Sequence, residues 1–448
     1  MMTLAAPAPA LTDLRSALWH DRLESAAILL CTPVRLQGTD SWRLILREAH
    51  VAPADAYEER TEASVTLKPS FGLPYERKAR QNGWSLIYCH THPRQRGEAR
   101  FSPIDDASEI ALAAYANQRS PDVPHVALLF GADSIAARRL GTRESVRVVE
   151  IGSSIVAISD QRRAEHGIEG FDRQVRAFGA DGQRRLQLMR VAIVGLGGTG
   201  SLIAQQLAHL GIADLVLVDR DAVEVSNLNR TVGATPADIG TAKVDVAARM
   251  VRGIRPEGRV VAIRQDVVDE GVARQAAESD FIFCCTDSHA SRHVLNQLAY
   301  QFLVPTIDLG VAINVANGNA HFAGHVKALA PGLACLWCIG NLDPRLVREE
   351  TMNPEHRQSD PYFGTGDGAI QPAVISINGT VASLAVTMFL SMVAGVPSSA
   401  RYLIYDGNRA RVNAVAAAPA PTCNFCSPAS TALAGDTYPL PERRHGPR

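Results

Sequence analysis

Hydrophobic positions in this chain fall into two textures. In the second half, short unbroken apolar runs recur: Val191-Ala-Ile-Val194, Leu215-Val-Leu-Val218 and Phe281-Ile-Phe-Cys-Cys285. Runs without polar alternation suit strands covered on both faces, and they predict a buried parallel sheet of β-α-β units. Ser201–Leu210 reads as the first crossover helix, and an apolar last helix is expected around Val374 to Val393, before a strand at Tyr402 to Tyr405. In the first half, the apolar strand Trp84-Ser-Leu-Ile-Tyr-Cys89 ends in alternating histidines, and an alanine-rich helix comes after Ser102-Pro103. The 448 residues exceed one ordinary core. The division expected is a first α/β domain over 11–150, a polar connector over 151–168, a second domain over 169–428, and a tail over 431–448. The tail turns to Ser, Thr, Pro and Arg without apolar period and is expected to be disordered. No run is read as long enough to span a membrane, the N-terminus lacks a basic leader, and a cytoplasmic location is expected.

Chemistry enters at the turn after the first of these strands. Gly195, Gly197, Gly198 and Gly200 stand between Val194 and the helix, and Asp219 ends the next strand. Glycines there permit a tight turn and close backbone approach to phosphates at a helix N-terminus, while the acid suits a ribose hydroxyl. Dehydrogenases, methyltransferases and adenylating enzymes all share that much. The residues downstream are more specific: Asp219-Arg-Asp221, Ser226-Asn227-Leu-Asn-Arg230, Ile-Gly-Thr-Ala-Lys243, and Phe281-Ile-Phe-Cys-Cys-Thr-Asp287. Cations after the second strand suit attack at the α-phosphate of ATP, where charge moves onto the leaving pyrophosphate. The succession resembles the ThiF/MoeB/ubiquitin-activating family of ATP-dependent adenylating enzymes, from about Gly170 to Ser427. That resemblance implies a Rossmann-like, doubly wound domain. It puts Gly198 against the nucleotide, Asp219 on the ribose with Asp221 beside it, and Asn227, Arg230 and Lys243 on the phosphates. Asp287 would hold Mg2+, and Arg173 would reach ATP across a homodimer. Only Lys68, Lys78, Lys243 and Lys327 are lysines, so a lysine at the phosphate position carries some weight.

Four of the eight cysteines form Cys335-Leu-Trp-Cys338 and Cys423-Asn-Phe-Cys426. Two such knuckles can close a tetrahedral four-sulfur zinc site, as the ThiF/MoeB branch carries; a redox dithiol or two unrelated knuckles are the alternatives. Cys284 and Cys285 lie in an apolar strand and are expected to be buried. Related thioester-forming enzymes carry a cysteine where this chain has Gly364, so no enzyme thioester is expected in the loop Tyr362–Pro372.

In the first half, His90-Thr-His92 puts two imidazoles on one strand face, and Ser102-Pro-Ile-Asp105 begins after nine intervening residues. The pattern resembles the signature of JAB/MPN (JAMM) zinc metalloproteases, which hydrolyse peptide and isopeptide bonds at ubiquitin-like C-termini. The resemblance implies zinc on His90, His92 and Asp105 with one position left for water, Ser102 helping to hold the tetrahedral oxygen, and an upstream glutamate as general base. Glu24 is chosen for that role, with Glu48 the fallback. Ser102-Pro103-x-Asp105 is equally a capped helix start, and both readings can hold at once.

Together the two resemblances imply a two-headed enzyme. One head would form an acyl-adenylate at the C-terminal glycine of a ubiquitin-like protein; the other would trim or release that C-terminus. ATP, Mg2+ and two zinc ions, one catalytic and one structural, are the implied cofactors. The acyl group would pass to a conjugating enzyme or a sulfur donor. Sulfur-carrier activation for cofactor synthesis and a non-catalytic adapter for ubiquitin-like tails remain the alternatives. A net charge of −1 with no basic stripe argues against nucleic acid as a partner, and no membrane is expected.

Overall fold

The computed structural model describes residues 2–37, 41–159, 169–316, 318–352, 372–427 and 431–443. The chain divides into two compact units, Met1–Arg162 with Leu433–Pro439, and Arg163–Ala432 with Leu440–Arg448.

The first unit is built on β1 (Met2–Pro7), α1 (Ala8–Leu18), β2 (Ala26–Arg35), β3 (Trp42–Val51), a small β4–β5 ribbon (Tyr57–Arg60, Val65–Leu67), α2 (Pro69–Asn82), β6 (Ser85–His92), α3 (Pro103–Arg119), β7 (Val126–Gly131), β8 (Ile135–Arg139), β9 (Val146–Ile151) and β10 (Ile155–Ser159). Its eight-stranded sheet runs β10-β9-β1-β3-β2-β6-β7-β8. Leu4, Leu29, Leu44, Ile87 and Leu128 pack its core. Three expectations change here. The domain does not start at residue 11, because β1 lies inside the sheet, parallel to both β3 and β9. Small residues there (Ala5 and Ala6 are buried) hide the strand from a search for bulky apolar runs. Nor does a connector start at residue 151, since β10 pairs antiparallel with β9; residues 160–168 lie outside the described residues. The tail is also not featureless. Thr32 Oγ1 and Arg47 Nη1 donate to Leu433 O at 3.0 and 3.1 Å. Gly435, at φ +52, sits where a Cβ would come within 2.8 Å of Thr32 and Val34. In the second unit, Arg443 Nη1 donates to Asp269 at 2.9 Å. Backbone acceptors and a close-packed glycine hold this segment, so hydrophobic periodicity could not report it.

The second unit comprises α4 (Asp172–Leu188), β11 (Arg190–Val194), α5 (Gly198–His209), β12 (Asp214–Val218), α6 (Lys243–Ile254), β13 (Arg259–Ile263), α7 (Val272–Ala276), β14 (Phe281–Cys284), α8 (His289–Gln301), β15 (Thr306–Ala316), β16 (Asn319–Leu329), α9 (Pro344–Thr351), α10 (Ile375–Val393), β17 (Tyr402–Asp406) and β18 (Arg411–Ala414). The sheet order is β13-β12-β11-β14-β15-β16-β17-β18. It is parallel from β13 to β15 and antiparallel from β15 to β18. The unbroken apolar runs form β11, β12 and β14, buried throughout as two-sided cover requires. With 19 residues and a mean hydropathy of 1.5 in its best window, α10 does reach the length and apolarity of a membrane span, contrary to expectation. Half of that window is buried inside the unit, where Phe389 packs edge-on to Phe281, 4.8 Å between centroids.

Candidate functional sites

In the second unit, the turn after β11 opens a cavity of about 670 Å³. Gly195 takes φ +89, and a Cβ on Gly200 would lie 1.8 Å from Gly195 O, so α5 presses directly onto the turn. Helix N–H groups and the positive dipole end therefore face the cavity, a setting that favours phosphate. Gly195, Gly197 and Gly198 line it, as do Asp219, Asp221, Arg230, Lys243 and Asp287. Asp219 accepts from the backbone N–H groups of Leu196 and Asp221 at 2.6 and 2.8 Å. Burial raises its carboxyl, an effect that Lys243 partly offsets. Lys243 Nζ is paired with Asp221 Oδ2 at 2.8 Å.

Two residues expected at this cavity, Gly200 and Asn227, do not line it, and Arg173 is expected at the cavity of a partner subunit instead. Gly200 is buried behind the turn, in a packing role. Asn227 is turned away: its Oδ1 accepts from Glu224 N at 3.2 Å and it is 8 % exposed, holding the loop that carries Arg230. Arg173 is exposed on α4. Cys284 is fully buried, but Cys285 is only half-buried and lines the cavity, because it caps the strand where the sheet opens. Burial and the nearby Asp308 carboxylate push its thiol up. Gly364 and the surrounding loop lie outside the described residues.

Among the cavity-wall side chains not expected from the sequence are Arg292 on α8 and Asn378 on α10. The Asn378 amide covers Gly198, where a Cβ would meet it at 2.0 Å. Asn378 had no local signal. For Arg292 the available clue was indirect: Asp308, a lone acid in an apolar strand, needs a buried cation nearby.

In the first unit, His90, His92 and Asp105 converge, each offering one ligand atom within 4.8 Å of the others. The register of β2 against β6 pairs Ala26 with His90, which brings Glu24, just before β2, to the same place. Asp105 is fixed by a capping box: its Oδ2 accepts from Ser102 N at 2.6 Å, and Ser102 Oγ accepts from Asp105 N at 3.2 Å. His90 Nε2 lies 3.1 Å and His92 Nε2 3.4 Å from the Asp105 carboxylate. Ligands ~2.0–2.2 Å from a tetrahedral ion sit about 3.3–3.5 Å apart, so this donor set fits zinc. His90 Nε2 is also buried, and its contact with Asp105 is not aligned as a hydrogen bond. Glu24 Oε1 lies 3.5 Å from His92 Nε2, and burial raises its carboxyl. Glu48 is elsewhere, paired with Lys78 Nζ at 2.6 Å and His50 Nε2 at 2.9 Å. A buried clamp holds α3 in place: Arg138 donates to Glu109 at 2.9 Å and Asp106 at 2.6 Å, and stacks over Phe101.

Back in the second unit, both knuckles meet. Sγ separations are 3.6 Å for Cys335–Cys338, Cys335–Cys423 and Cys338–Cys426, against about 3.8 Å expected for ~2.3 Å Zn–S bonds in a tetrahedron. The aromatic residue inside each knuckle closes the site: Trp337 stacks on Phe425, and Trp337 Nε1 donates to His293 Nδ1 at 3.1 Å. Cys335→Ser is expected to remove one bound zinc and lower the melting temperature, since metal binding energy at such sites is folding energy. Elemental analysis with thermal unfolding checks this; unchanged metal content and stability would rule the site out.

The ThiF family model matches residues 171–425, more than half of the chain. The molybdopterin-synthase adenylyltransferase of Escherichia coli (strain K12) is 29% identical over 260 residues, covering 57% of this chain and 95% of its own. The SAMP-activating enzyme E1 of Haloferax volcanii is 30% identical over 251 residues, covering 55% and 84%. Ubiquitin-like modifier-activating enzyme 5 of Aedes aegypti is 26% identical over 257 residues, covering 54% and 60%. Glycine turn, cavity and family match coincide in the second unit, and the chain belongs to the ThiF family.

Proposed function

We propose that this protein activates the C-terminal glycine carboxylate of a ubiquitin-like protein by adenylation and, with its first unit, hydrolyses peptide or isopeptide bonds at that same C-terminus. The observation that carries the first activity is a single cavity lined by the glycine turn, Asp219, Lys243, Arg230 and Asp287. The substrate carboxylate oxygen bonds to the α-phosphorus of ATP as the bond to the bridging oxygen breaks, giving an acyl-adenylate and pyrophosphate. Asp219 holds the ribose. Lys243 and Arg230 face the charge that builds on the leaving phosphates, where fixed cations act most strongly. Asp287, exposed in the cavity wall, would hold Mg2+, which supplies charge neutralisation to the phosphates.

The hydrolytic reading rests on the convergence of His90, His92, Asp105 and Glu24. Zinc held there would supply a Lewis acid and lower the pKa of a water molecule. The buried Glu24 is placed to take that proton, and Ser102 keeps Asp105 in register through the helix cap. Covalent fusion keeps one small protein near both activities, which raises its effective concentration. Relatives named as a ubiquitin-like modifier-activating enzyme and a molybdopterin-synthase adenylyltransferase support adenylation of a protein substrate; onward transfer to a conjugating enzyme or to a sulfur donor completes the proposal.

The experiment for this function is mass spectrometry of a ubiquitin-like protein bearing a short extension after its terminal glycines. The protein is expected to remove the extension without ATP, and to form pyrophosphate only after removal. A homodimer sharing Arg173 is part of the proposal. Mixing Arg173→Ala with Asp287→Ala subunits is expected to restore up to about a quarter of the exchange activity, since random pairing leaves one intact composite site in half the dimers. Full activity in a monomer, by sedimentation and exchange assay, would contradict it.

A further inference from the structure

Beside the nucleotide cavity lies a charged cluster to which the proposed chemistry assigns no role. Asp308, in β15, is 0 % exposed. A carboxylate loses its hydration there and is tolerable only with opposite charge and donors beside it. Its partners come from three other elements, one of them the Cys284 thiol at the end of β14. His325 Nε2, on β16, lies 2.7 Å from Oδ2. Arg292 Nε, on α8, lies 3.3 Å from Oδ1. Burial pushes the Asp308 carboxyl up, but Arg292 and His325 outweigh it and hold it at about 2.

Gly310 stands opposite His325 in the β15–β16 ladder. A Cβ at Gly310 would come within 2.7 Å of both Arg292 Nη2 and His325 Cε1. Guanidinium and imidazole therefore meet over a position that only glycine leaves open. Arg292 itself lines the cavity with Thr286 and Asp287, and its Nε donates to Thr286 O at 3.2 Å. The single Nε–H goes to Thr286 O, and Asp308 Oδ1, which accepts no hydrogen bond from the described residues, holds the guanidinium by charge alone; together they orient the side chain before any ligand arrives, so its charge acts without reorganisation. Because β14 is next to β11 in the sheet, this flank of the cavity, with Thr286 and Asp287, borders the glycine turn.

We infer that Asp308 and His325 are positioning residues that hold Arg292 as a receptor for a phosphate oxyanion of the bound nucleotide. This rests on the nucleotide reading of the cavity. The test is calorimetric titration of the full chain with Mg2+ and α,β-methylene-ATP. Arg292→Gln is expected to weaken binding about 10-fold or more, as loss of a charged hydrogen bond does. Asp308→Asn and His325→Gln are expected to weaken it in the same direction by smaller factors. A double-mutant cycle separates positioning from general support of the fold. In the Arg292→Gln background, Asp308→Asn is expected to change binding less than about 2-fold. Equal losses in both backgrounds, or unaltered binding by Arg292→Gln, would overturn the inference. His325→Gln decides the matter where Asp308→Asn does not fold: wild-type affinity in the folded variant overturns it. If the unaltered protein binds no nucleotide, the reading of the cavity fails instead.

Discussion

Asp287→Ala is expected to abolish ATP–pyrophosphate exchange, and Lys243→Ala to lower it by about 10²–10³-fold, the loss typical when one preorganised charge donor is removed from a transition state. Both residues line the cavity with the glycine turn. They act differently. Lys243 is 2.8 Å from Asp221, which holds the ammonium in place, so its removal strips charge from the leaving pyrophosphate without disturbing the turn. Its loss should fall on the rate more than on nucleotide affinity, because the charge it meets develops as the bond breaks. Exchange kinetics with varied ATP separate the two effects. Full exchange in Asp287→Ala would remove that residue from the reaction.

Glu24→Gln is expected to lose about 10²–10⁴-fold in cleavage of a ubiquitin-like C-terminal extension, the usual contribution of a general base. Gln keeps the shape of a buried side chain that is 4 % exposed, and the three ligand positions are untouched. Bound zinc and the melting temperature should therefore stay near those of the unaltered protein. His90→Ala, by contrast, is expected to lose both metal and cleavage. Measured zinc content beside peptide-bond cleavage checks the pair. A Glu24→Gln protein that cleaves normally would exclude Glu24 as the base, and Glu48 would not replace it, since Lys78 and His50 already hold its carboxylate.

The parts legible in the sequence were those whose chemistry is local. The glycine turn, the paired knuckles and His90-x-His92 with Asp105 each lie on one short segment or on simple spacing, and each falls in a converging cluster. The sequence favours Glu24 over Glu48, but its closeness to the two histidines depends on the register of β2 against β6, which no local pattern reports. Asn227 fits the family pattern, yet its amide serves the loop rather than the cavity. β1 is hidden because its central residues are small, although it lies between two parallel neighbours. The least legible part was Arg292 with Asp308 and His325. Their meeting depends on strand pairing across β15 and β16 and on where α8 docks.

In the proposed function one glycine-ended tail serves both units. The most direct measurement of this is intact-mass analysis of a ubiquitin-like protein carrying a C-terminal extension, incubated with the unaltered enzyme, zinc, magnesium and ATP. Loss of the extension is expected, then addition of one AMP to the new carboxylate, with Glu24→Gln blocking both events and Asp287→Ala only the second. AMP added to a protein whose extension is intact, or trimming that Glu24→Gln leaves unchanged, would contradict it.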